Sequence, residues 1–196
     1  MSTNINMVIG NATLFYGDNY FNATNVDELI KSLTDDKKLG LGKDSIKFTA
    51  KPKITDFDFA GKEDRKVKNM EEITGWDIKA EGSLLDLNEN VLSASLIKKD
   101  TKTSSETYEV FIPQPSLNNS SYHDLVILGR VKNNQYPIAI IVKNSYNAEG
   151  FSMEFKDKEN DAIKMSFEGA YDMDKLDETP FKIIKPKAVA VVDDTK

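Results

Sequence analysis

Apolar and polar side chains alternate along two neighbouring segments in the C-terminal third of the chain. In residues 151–155 and 163–168, apolar side chains occupy the odd positions and polar side chains the even positions. A period of two over both segments is typical of an antiparallel pair that buries one face. The charged stretch 157–161 lies between them, so the pattern predicts a β-hairpin with one apolar face.

Alternation predicts strands elsewhere as well, at a spacing of roughly ten residues that is typical of all-β domains. The alternating segments are Ala12 to Tyr16, Ile46 to Ala50, Trp76 to Ala80 and Tyr108 to Ile112, with Phe181 and Ile183 ending the folded part. The continuous apolar runs 125–128 and 138–142 predict two more strands that are covered on both faces.

Two features modify the strand that begins at Ile46. Pro52 lacks a backbone N–H, so we expect this strand to lie at a sheet edge or to bend there. In residues 54–59 the apolar register shifts by one position, which predicts a β-bulge.

Two short segments have the spacing of a helix. Asn25 is a good N-cap, and Val26, Leu29 and Leu33 follow it at helical intervals. Asn88 predicts a second helix through Leu96, for which Lys98 and Lys99 would complement the C-terminal dipole.

These elements predict a mainly β protein: an antiparallel β-sandwich or rolled β-barrel with one packed α-helix, a second short helix and a long loop. The length of 196 residues is that of one domain, which we place at residues 1–186 with an N-terminal arm. Residues 187–196 are expected to form a flexible tail.

The charge of the chain is concentrated in one segment. From Glu149 to Glu178 there are ten acidic residues and four lysines, a local net charge of −6 that equals the charge of the whole chain. The pattern therefore predicts that one wall of the molecule carries the electrostatic field. Net acidity argues against general affinity for nucleic acid, which requires a basic surface.

The residues offer little for catalysis or metal binding. There is no cysteine, which excludes disulfides and thiolate sites, and the one histidine, His123, is expected in a surface loop. Asp56 with Asp58, and Asp172 with Asp174, could form acid–base pairs or calcium ligands. A spacing of two in a strand more often places both carboxylates on the solvent face. We expect no enzyme activity, cofactor, secretory signal or membrane span.

A long charged connection links two of the predicted strands. It carries a basic block followed by an acidic pair and runs from Ala60 to Glu72. Connections of this length are usually functional or disordered. Two interpretations stay open, a solvated hairpin tip or an arm that contacts an acidic surface on a neighbouring subunit. The candidate residues are Lys62, Glu63, Asp64, Arg65, Lys66, Lys68, Glu71 and Glu72.

Two motifs resemble the tail tube proteins (major tail proteins) of tailed bacteriophages. They are the run from Glu72 to Gly82, which contains Gly75-Trp76, and the run Phe167 to Asp172 followed by Pro180-Phe181. The likeness in element order and length extends over roughly residues 7–185. Members of that family form hexameric rings that stack into a hollow tube, with long loops and terminal arms bridging successive rings.

The resemblance implies a structural role and partners. The chain would assemble with itself in the host cytoplasm into a virion tail, contact tape measure, tail terminator and baseplate proteins, and conduct DNA during ejection without binding it specifically. It implies that polar residues of the acidic hairpin line the lumen or its rim, namely Glu154, Lys156, Lys164 and Glu168. It also implies that the loop from Lys62 to Glu72 stacks between rings. The family has no catalytic residues, cofactor or membrane partner.

Three alternatives stay open at this point. One is the inner tube of a contractile tail or of a phage-tail-like bacteriocin. A second is a carbohydrate-binding or adhesive β-sandwich, which would require several exposed aromatic side chains in one groove; the chain has a single tryptophan. The third and least supported is a small hydrolase built on the aspartate pairs.

Overall fold

A computed structural model describes residues 8–23, 25–131, 134, 136–153 and 162–187. Within these residues the chain is mainly β, with one antiparallel sheet of eight strands, a two-stranded sheet formed by β4 and β5, and two short α-helices. This confirms the predicted fold class. The strands are β1 Val8–Gly17, β2 Lys38–Asp56, β3 Glu71–Leu84, β4 Ile97–Lys99, β5 Phe111–Pro113, β6 His123–Val131, β7 Ile138–Asn147, β8 Ser152–Met153, β9 Ile163–Gly169 and β10 Phe181–Ile184.

The large sheet is rolled. Its strands follow the order β10-β7-β6-β1-β2-β3-β9-β8. The first half of β7 pairs with β10, whereas its second half pairs with β9 through Ser145–Gly169, Tyr146–Glu168 and Asn147–Phe167. The sheet therefore curls until these strands meet along three residue pairs, without forming a complete barrel.

The main core lies inside the roll. The predicted alternation is confirmed, because Leu14 and Tyr16 of β1, Ile78 of β3 and Phe167 of β9 all point into it. The Tyr16 hydroxyl donates a hydrogen bond to the carbonyl of Ser145 at 2.8 Å. The described residues buried in this main core are Leu14, Tyr16, Leu39, Ile78, Ala80, Leu84, Val91, Ala94, Leu125, Ile127, Val142, Ile163, Met165 and Phe167.

A second core covers the outer face of β1, β6 and β7. Leu29 of helix α1 (Val26–Ser32) is fully buried there, together with Phe15, Tyr20, Val126, Ala139 and Ile141. Alternate residues of β6 and β7 thus face opposite cores, which confirms that the continuous apolar runs form strands covered on both faces.

Side-chain caps begin both helices, as predicted. The Asn25 side chain accepts a hydrogen bond from the Glu28 N–H at 2.8 Å, and that of Asn88 accepts from the Val91 N–H at 3.0 Å. The second helix, α2, spans Glu89–Ala94 and is shorter than predicted. Leu96 adopts a left-handed φ of 62°, which stops the helix and turns the chain into β4. The prediction that Lys98 and Lys99 complement the helix dipole is therefore wrong.

The prediction of a strand from Tyr108 to Ile112 holds only at its end. The strand β5 begins at Phe111, and Tyr108 is 74% exposed. The Ser105 hydroxyl accepts hydrogen bonds from the N–H groups of Thr107 and Tyr108, so side-chain bonding holds this segment in a turn.

The free edge expected at Pro52 is present in the β2–β3 hairpin, but the bulge lies in β3 and not in residues 54–59, where the shifted apolar register predicted it. Lys53 pairs with Gly75 but Ile54 pairs with Ile73, so Thr74 of β3 is the extra residue. The Trp76 N–H points away from β2 to the hydroxyl of Tyr171. The Pro52–Trp76 pair is therefore not hydrogen-bonded. The nitrogen of Pro52, which carries no hydrogen, faces the free side of β2, where no partner strand among the described residues needs a donor.

A second irregularity makes Gly82 a sensitive position. Residues 44–46 of β2 arch over Gly82, and a Cβ there would lie against the Ile46 side chain and 3.1 Å from the Ser45 carbonyl oxygen. We expect Gly82→Ala to lower the free energy of unfolding by about 1–3 kcal/mol, because the backbone of the arch must move. Urea denaturation measures this loss.

Gly75→Ala is the matched control. A Cβ at Gly75 would meet only the Tyr171 hydroxyl at 3.7 Å, an ordinary contact. Its effect should stay within about 0.5 kcal/mol. Equal unfolding midpoints for the two variants would contradict the tight packing at Gly82.

Candidate functional site

The distal part of the β2–β3 ribbon extends beyond the sheet. We call residues 51–77 the projecting hairpin; its strands pair from Lys51–Asp77 to Asp56–Glu71, and residues 57–70 form its tip. Along the described chain, β1 reaches β2 only as far as Leu41, and β9 reaches β3 only as far as Lys79. The hairpin thus stands out as a two-stranded ribbon.

Aromatic packing fixes the base of this hairpin. The ring of Trp76 lies edge-on against the ring of Phe181, with centroids 5.5 Å apart. The ring of Phe48 also packs on Phe181, with centroids 5.7 Å apart. The Trp76 N–H donates to the Tyr171 hydroxyl at 2.8 Å. The ribbon therefore leaves the sheet in a direction set by the folded part of the chain.

The tip is ordered by its own contacts. Lys62 is only 7% exposed, and its ammonium lies 3.2 Å from Asp58 and 3.7 Å from Asp56. Its N–H donates to the carbonyl of Phe59, and its carbonyl accepts from the N–H of Arg65. The carboxylates of Asp56 and Asp58 thus share a lysine, which gives this pair a structural role in the tip.

The charges of the tip largely neutralise one another. Residues 62–72 contain four basic and four acidic side chains. Lys66 lies 3.2 Å from Glu71 and Arg65 lies 2.9 Å from Glu63. Such exposed pairs contribute little stability, but they cancel the field that would attract an acidic partner surface. Glu71 and Glu72 lie in β3 and not in the loop.

Apolar side chains are exposed along the same hairpin. Five large ones are between 39% and 55% exposed: Ile54, Phe57, Phe59, Met70 and Ile73. Ile54 pairs with Ile73, and the Phe57 N–H donates to the Met70 carbonyl, so these residues are grouped along one short stretch of the hairpin. Grouped exposed apolar residues are typical of interaction surfaces. The sequence carries a signal for this surface, because Phe57 and Phe59 are apolar residues beside a charged connection, but their shifted register by itself predicts only a bulge.

The even positions of β9 do not all face outward, because Lys164 and Glu168 are exposed but Ser166 between them is buried. Ser152 pairs with Lys164 and Met153 with Ile163, which confirms the antiparallel pairing of the two alternating segments. Lys164 and Glu168 are exposed and lie opposite Ser83 and Lys79 of β3. Glu154 and Lys156 lie outside the described residues.

Ion pairs connect the outer faces of β2 and β3. Lys79 lies 3.0 Å from Glu81 and 3.8 Å from Glu149, and Glu81 also lies 3.8 Å from Lys47. The hydrogen bond with Lys79 holds the pKa of Glu81 below its ordinary value, and the same bond raises the pKa of Lys79. Lysines of this face are thus paired with carboxylates.

Other carboxylates of the acidic segment gather around a different lysine. Lys143 of β7 lies 2.7 Å from Glu178 and 3.9 Å from Asp172, and its ammonium lies over the ring of Phe21. Three described acidic residues of this segment, Glu149, Asp172 and Glu178, thus contact lysines of β3 and β7. Four others, at positions 154, 157, 159 and 161, lie outside the described residues, so the single acidic wall stays a prediction.

A bulge in β7 opens a cleft on the surface. Leu125 pairs with Val142 but His123 pairs with Ser145, so β7 contains one extra residue here. Asn144 within this bulge has a left-handed φ of 48°. The cleft has a volume of about 560 Å³, and we call it the bulge cleft; it is lined by Asn119, Tyr122, Asn144, Ala170, Tyr171, Asp172, Met173 and Asp174.

A smaller cavity of about 300 Å³ shares Tyr122 and Asn144 with the bulge cleft. His123 lies here, with Nδ1 2.6 Å from the Asp18 carboxylate. It is the first residue of β6, so the prediction of a surface loop is wrong. The Ser145 hydroxyl donates to the backbone carbonyl of His123 and not to its ring. The contacts of His123 thus connect the start of β6 to Asp18, which follows β1, and to Ser145 of β7.

Asp124 fastens the loop after β1 to the bulge. Its carboxylate accepts hydrogen bonds from the N–H of Phe21 at 2.8 Å and from the N–H of Asn144 at 3.3 Å. Burial raises the pKa of Asp124, and these two hydrogen bonds oppose the rise. The sequence gives no signal for this role of Asp124, because both hydrogen-bond partners are distant in the chain.

Comparison with known protein families and with curated proteins finds no match for this chain. Among the described residues, no three His, Cys, Asp or Glu side chains are grouped in a way that could hold a metal ion. Neither α-helix of that part of the chain is long and apolar enough to cross a membrane.

Proposed function

We propose that this protein is a self-assembling structural subunit whose copies form rings that stack into a tube, the tail tube of a bacteriophage. The observation that carries the proposal is the projecting hairpin, which is anchored at its base and exposes five large apolar side chains along its length. The likeness of residues 72–82 and 167–172 to tail tube proteins supports the same function.

Burying the apolar side chains of the hairpin against another subunit would contribute favourable free energy to association. Full burial of a large apolar side chain contributes about 1.5–3 kcal/mol, so covering five half-exposed ones contributes on the order of 5 kcal/mol per hairpin. A contact of this size is weak for one pair of subunits, because association itself costs free energy. A ring repeats the contact in every subunit, and the repeated contacts act together.

The chemistry of the tip changes the expected mode of stacking. One of the two interpretations of the sequence was a charged arm that meets an acidic surface, whereas the paired charges and exposed phenylalanines favour an apolar contact. The segment from Lys62 to Glu72 stays our candidate for inter-ring contact, and Phe57 and Phe59, which precede it in the same tip, would supply the apolar anchors.

The polar sheet face is our candidate for the channel wall. It contains Lys164 and Glu168, and we propose that Glu154 and Lys156 extend it. Pairing of Lys79 with glutamates on this face leaves fewer cations for the phosphates of passing DNA. The expected partners are other copies of the chain and the tape measure, terminator and baseplate proteins of a virion tail. An inner tube of a contractile tail or bacteriocin would use the same surfaces.

Negative-stain microscopy of the purified protein at rising concentration tests this function. We expect rings or hollow tubes, because the apolar hairpin contacts form by mass action. Sedimentation velocity follows the same transition in solution. A protein that stays monomeric at the highest concentration, and that forms no polymer with a tail terminator or tape measure protein, would rule the proposal out.

A further inference from the structure

We propose that the bulge cleft binds a neutral saccharide. Its lining combines two aromatic side chains, two amides and two carboxylates: Tyr122, Tyr171, Asn119, Asn144, Asp172 and Asp174. The lining residues lie outside the projecting hairpin, which touches the site through the Trp76–Tyr171 hydrogen bond, and the proposal does not rest on the tube function. Its volume of about 560 Å³ lies within the usual range for small-molecule sites.

The bulge in β7 is what brings an amide to the cleft. Both backbone groups of Asn144 serve the fold, since its N–H donates to Asp124 at 3.3 Å and its carbonyl accepts from Ala170 at 3.2 Å. The side-chain amide remains as the part of Asn144 that lines the cleft. Bulges beside functional sites commonly redirect a side chain in this way. An amide can both donate to and accept from sugar hydroxyls.

The two tyrosines are held in place before any ligand arrives. Tyr122 packs edge-to-face on Tyr146, with ring centroids 5.3 Å apart. The Tyr171 hydroxyl accepts the N–H of Trp76, and both tyrosines are half-buried. A ring fixed in this way offers an apolar surface for the C–H face of a pyranose at little entropic cost. The apolar part of the site thus consists of two half-buried tyrosines, which is fewer than the several exposed aromatic side chains expected of a carbohydrate-binding groove.

The carboxylates determine which sugars fit. Asp174 lies on the exposed rim and can accept charge-assisted hydrogen bonds from vicinal hydroxyls. Lys143 lies 3.9 Å from Asp172, but Glu178 already contacts the same ammonium at 2.7 Å. An anionic sugar would therefore meet two carboxylates without a cation reserved for it. The chemistry favours neutral pyranosides and disfavours sialic or uronic acids.

Ligand-observed saturation-transfer NMR tests the proposal, because it detects binding to monomers and to tubes alike. The probes are maltotriose, lactose, chitotriose and, as the anionic probe, sialyllactose. They are used at about 10 mM, ten times a Kd of about 1 mM at the weak end of the affinity scale. We expect saturation transfer to at least one neutral saccharide and none to the sialic acid ring.

Matched variants locate the site. Asp174→Ala and Tyr122→Ala should each weaken binding at least about tenfold, because each removes a charge-assisted hydrogen bond or a stacking surface. Asp177→Ala and Tyr108→Ala change an exposed aspartate and an exposed tyrosine outside the cleft, and both should bind as the unaltered protein does. Circular dichroism establishes that each variant is folded; Asp174 lies on an exposed loop, so its replacement should not disturb the fold.

Three results would overturn the proposal. They are no transfer to any neutral probe, unchanged binding by Asp174→Ala together with Tyr122→Ala, or equal transfer to the sialic acid ring. None of these results bears on tube formation, which microscopy reports separately.

Discussion

Replacing Phe57 and Phe59 with serine should abolish self-assembly while leaving the subunit folded. These side chains are 50% and 44% exposed on the projecting hairpin, and neither packs in either core cluster. Removing them deletes much of the apolar area that stacking would bury, and the loss recurs in every subunit of a ring. Sedimentation velocity and microscopy measure assembly, and urea denaturation should show an unfolding free energy within about 1 kcal/mol of the original.

Two controls distinguish an apolar contact at the tip from an ionic contact and from a general effect of surface polarity. Leu85→Ser with Leu87→Ser changes residues of similar exposure, 44% and 51%, outside the hairpin, and should assemble normally. Assembly should also persist near 1 M salt, where the Debye length falls to about 3 Å and exposed ion pairs are screened. Normal assembly of the phenylalanine variant would show that the tip is not the contact, and loss of assembly in salt would show that the contact is ionic.

Phe167→Ala should lower the free energy of unfolding by about 3–5 kcal/mol. Phe167 is 1% exposed, and its ring centroid lies 5.6 Å from that of Tyr16 in the main core. It also belongs to the short pairing of β9 with β7. Truncation of the side chain leaves a cavity beside the β7–β9 pairing, where the two ends of the rolled sheet come together. Equilibrium denaturation by urea measures the change.

Phe151→Ala provides the comparison. Both phenylalanines occupy odd positions of the same alternating segments, but Phe151 is 38% exposed. Its replacement should cost less than about 1 kcal/mol. Similar losses from the two variants would mean that Phe151 contributes to the core as much as its position in the alternating pattern suggests.

Local chemistry accounts for what could be predicted from the sequence. The helices begin where Asn25 and Asn88 can cap them, since a cap and its partner are three residues apart. The alternation of Ile163, Met165 and Phe167 directly gives the buried face of β9. The segments 125–128 and 138–142 are apolar throughout because β6 and β7 lie between two cores.

The parts that could not be predicted depend on partners far away in the chain. Nothing near Lys143 indicates that Glu178 lies against it, and nothing near Asp124 indicates a hydrogen bond to Phe21. The bulge at Asn144 follows from the pairing of β7 with β6, which no short window contains. The bulge cleft could not be predicted for the same reason.

The free flank of β2 is protected against pairing with other chains. A long unpaired strand edge invites indiscriminate pairing with other chains, and proline and lysine are the usual protection. Along the free side of β2, Pro52 withholds a donor, and the exposed Lys51 beside it places a positive charge where a second copy of the same edge would pair. Lys47 and Lys53 are engaged by Glu81 and Asp77 of β3 instead. The flank of the ribbon is therefore a poor template for amyloid-like addition of another chain.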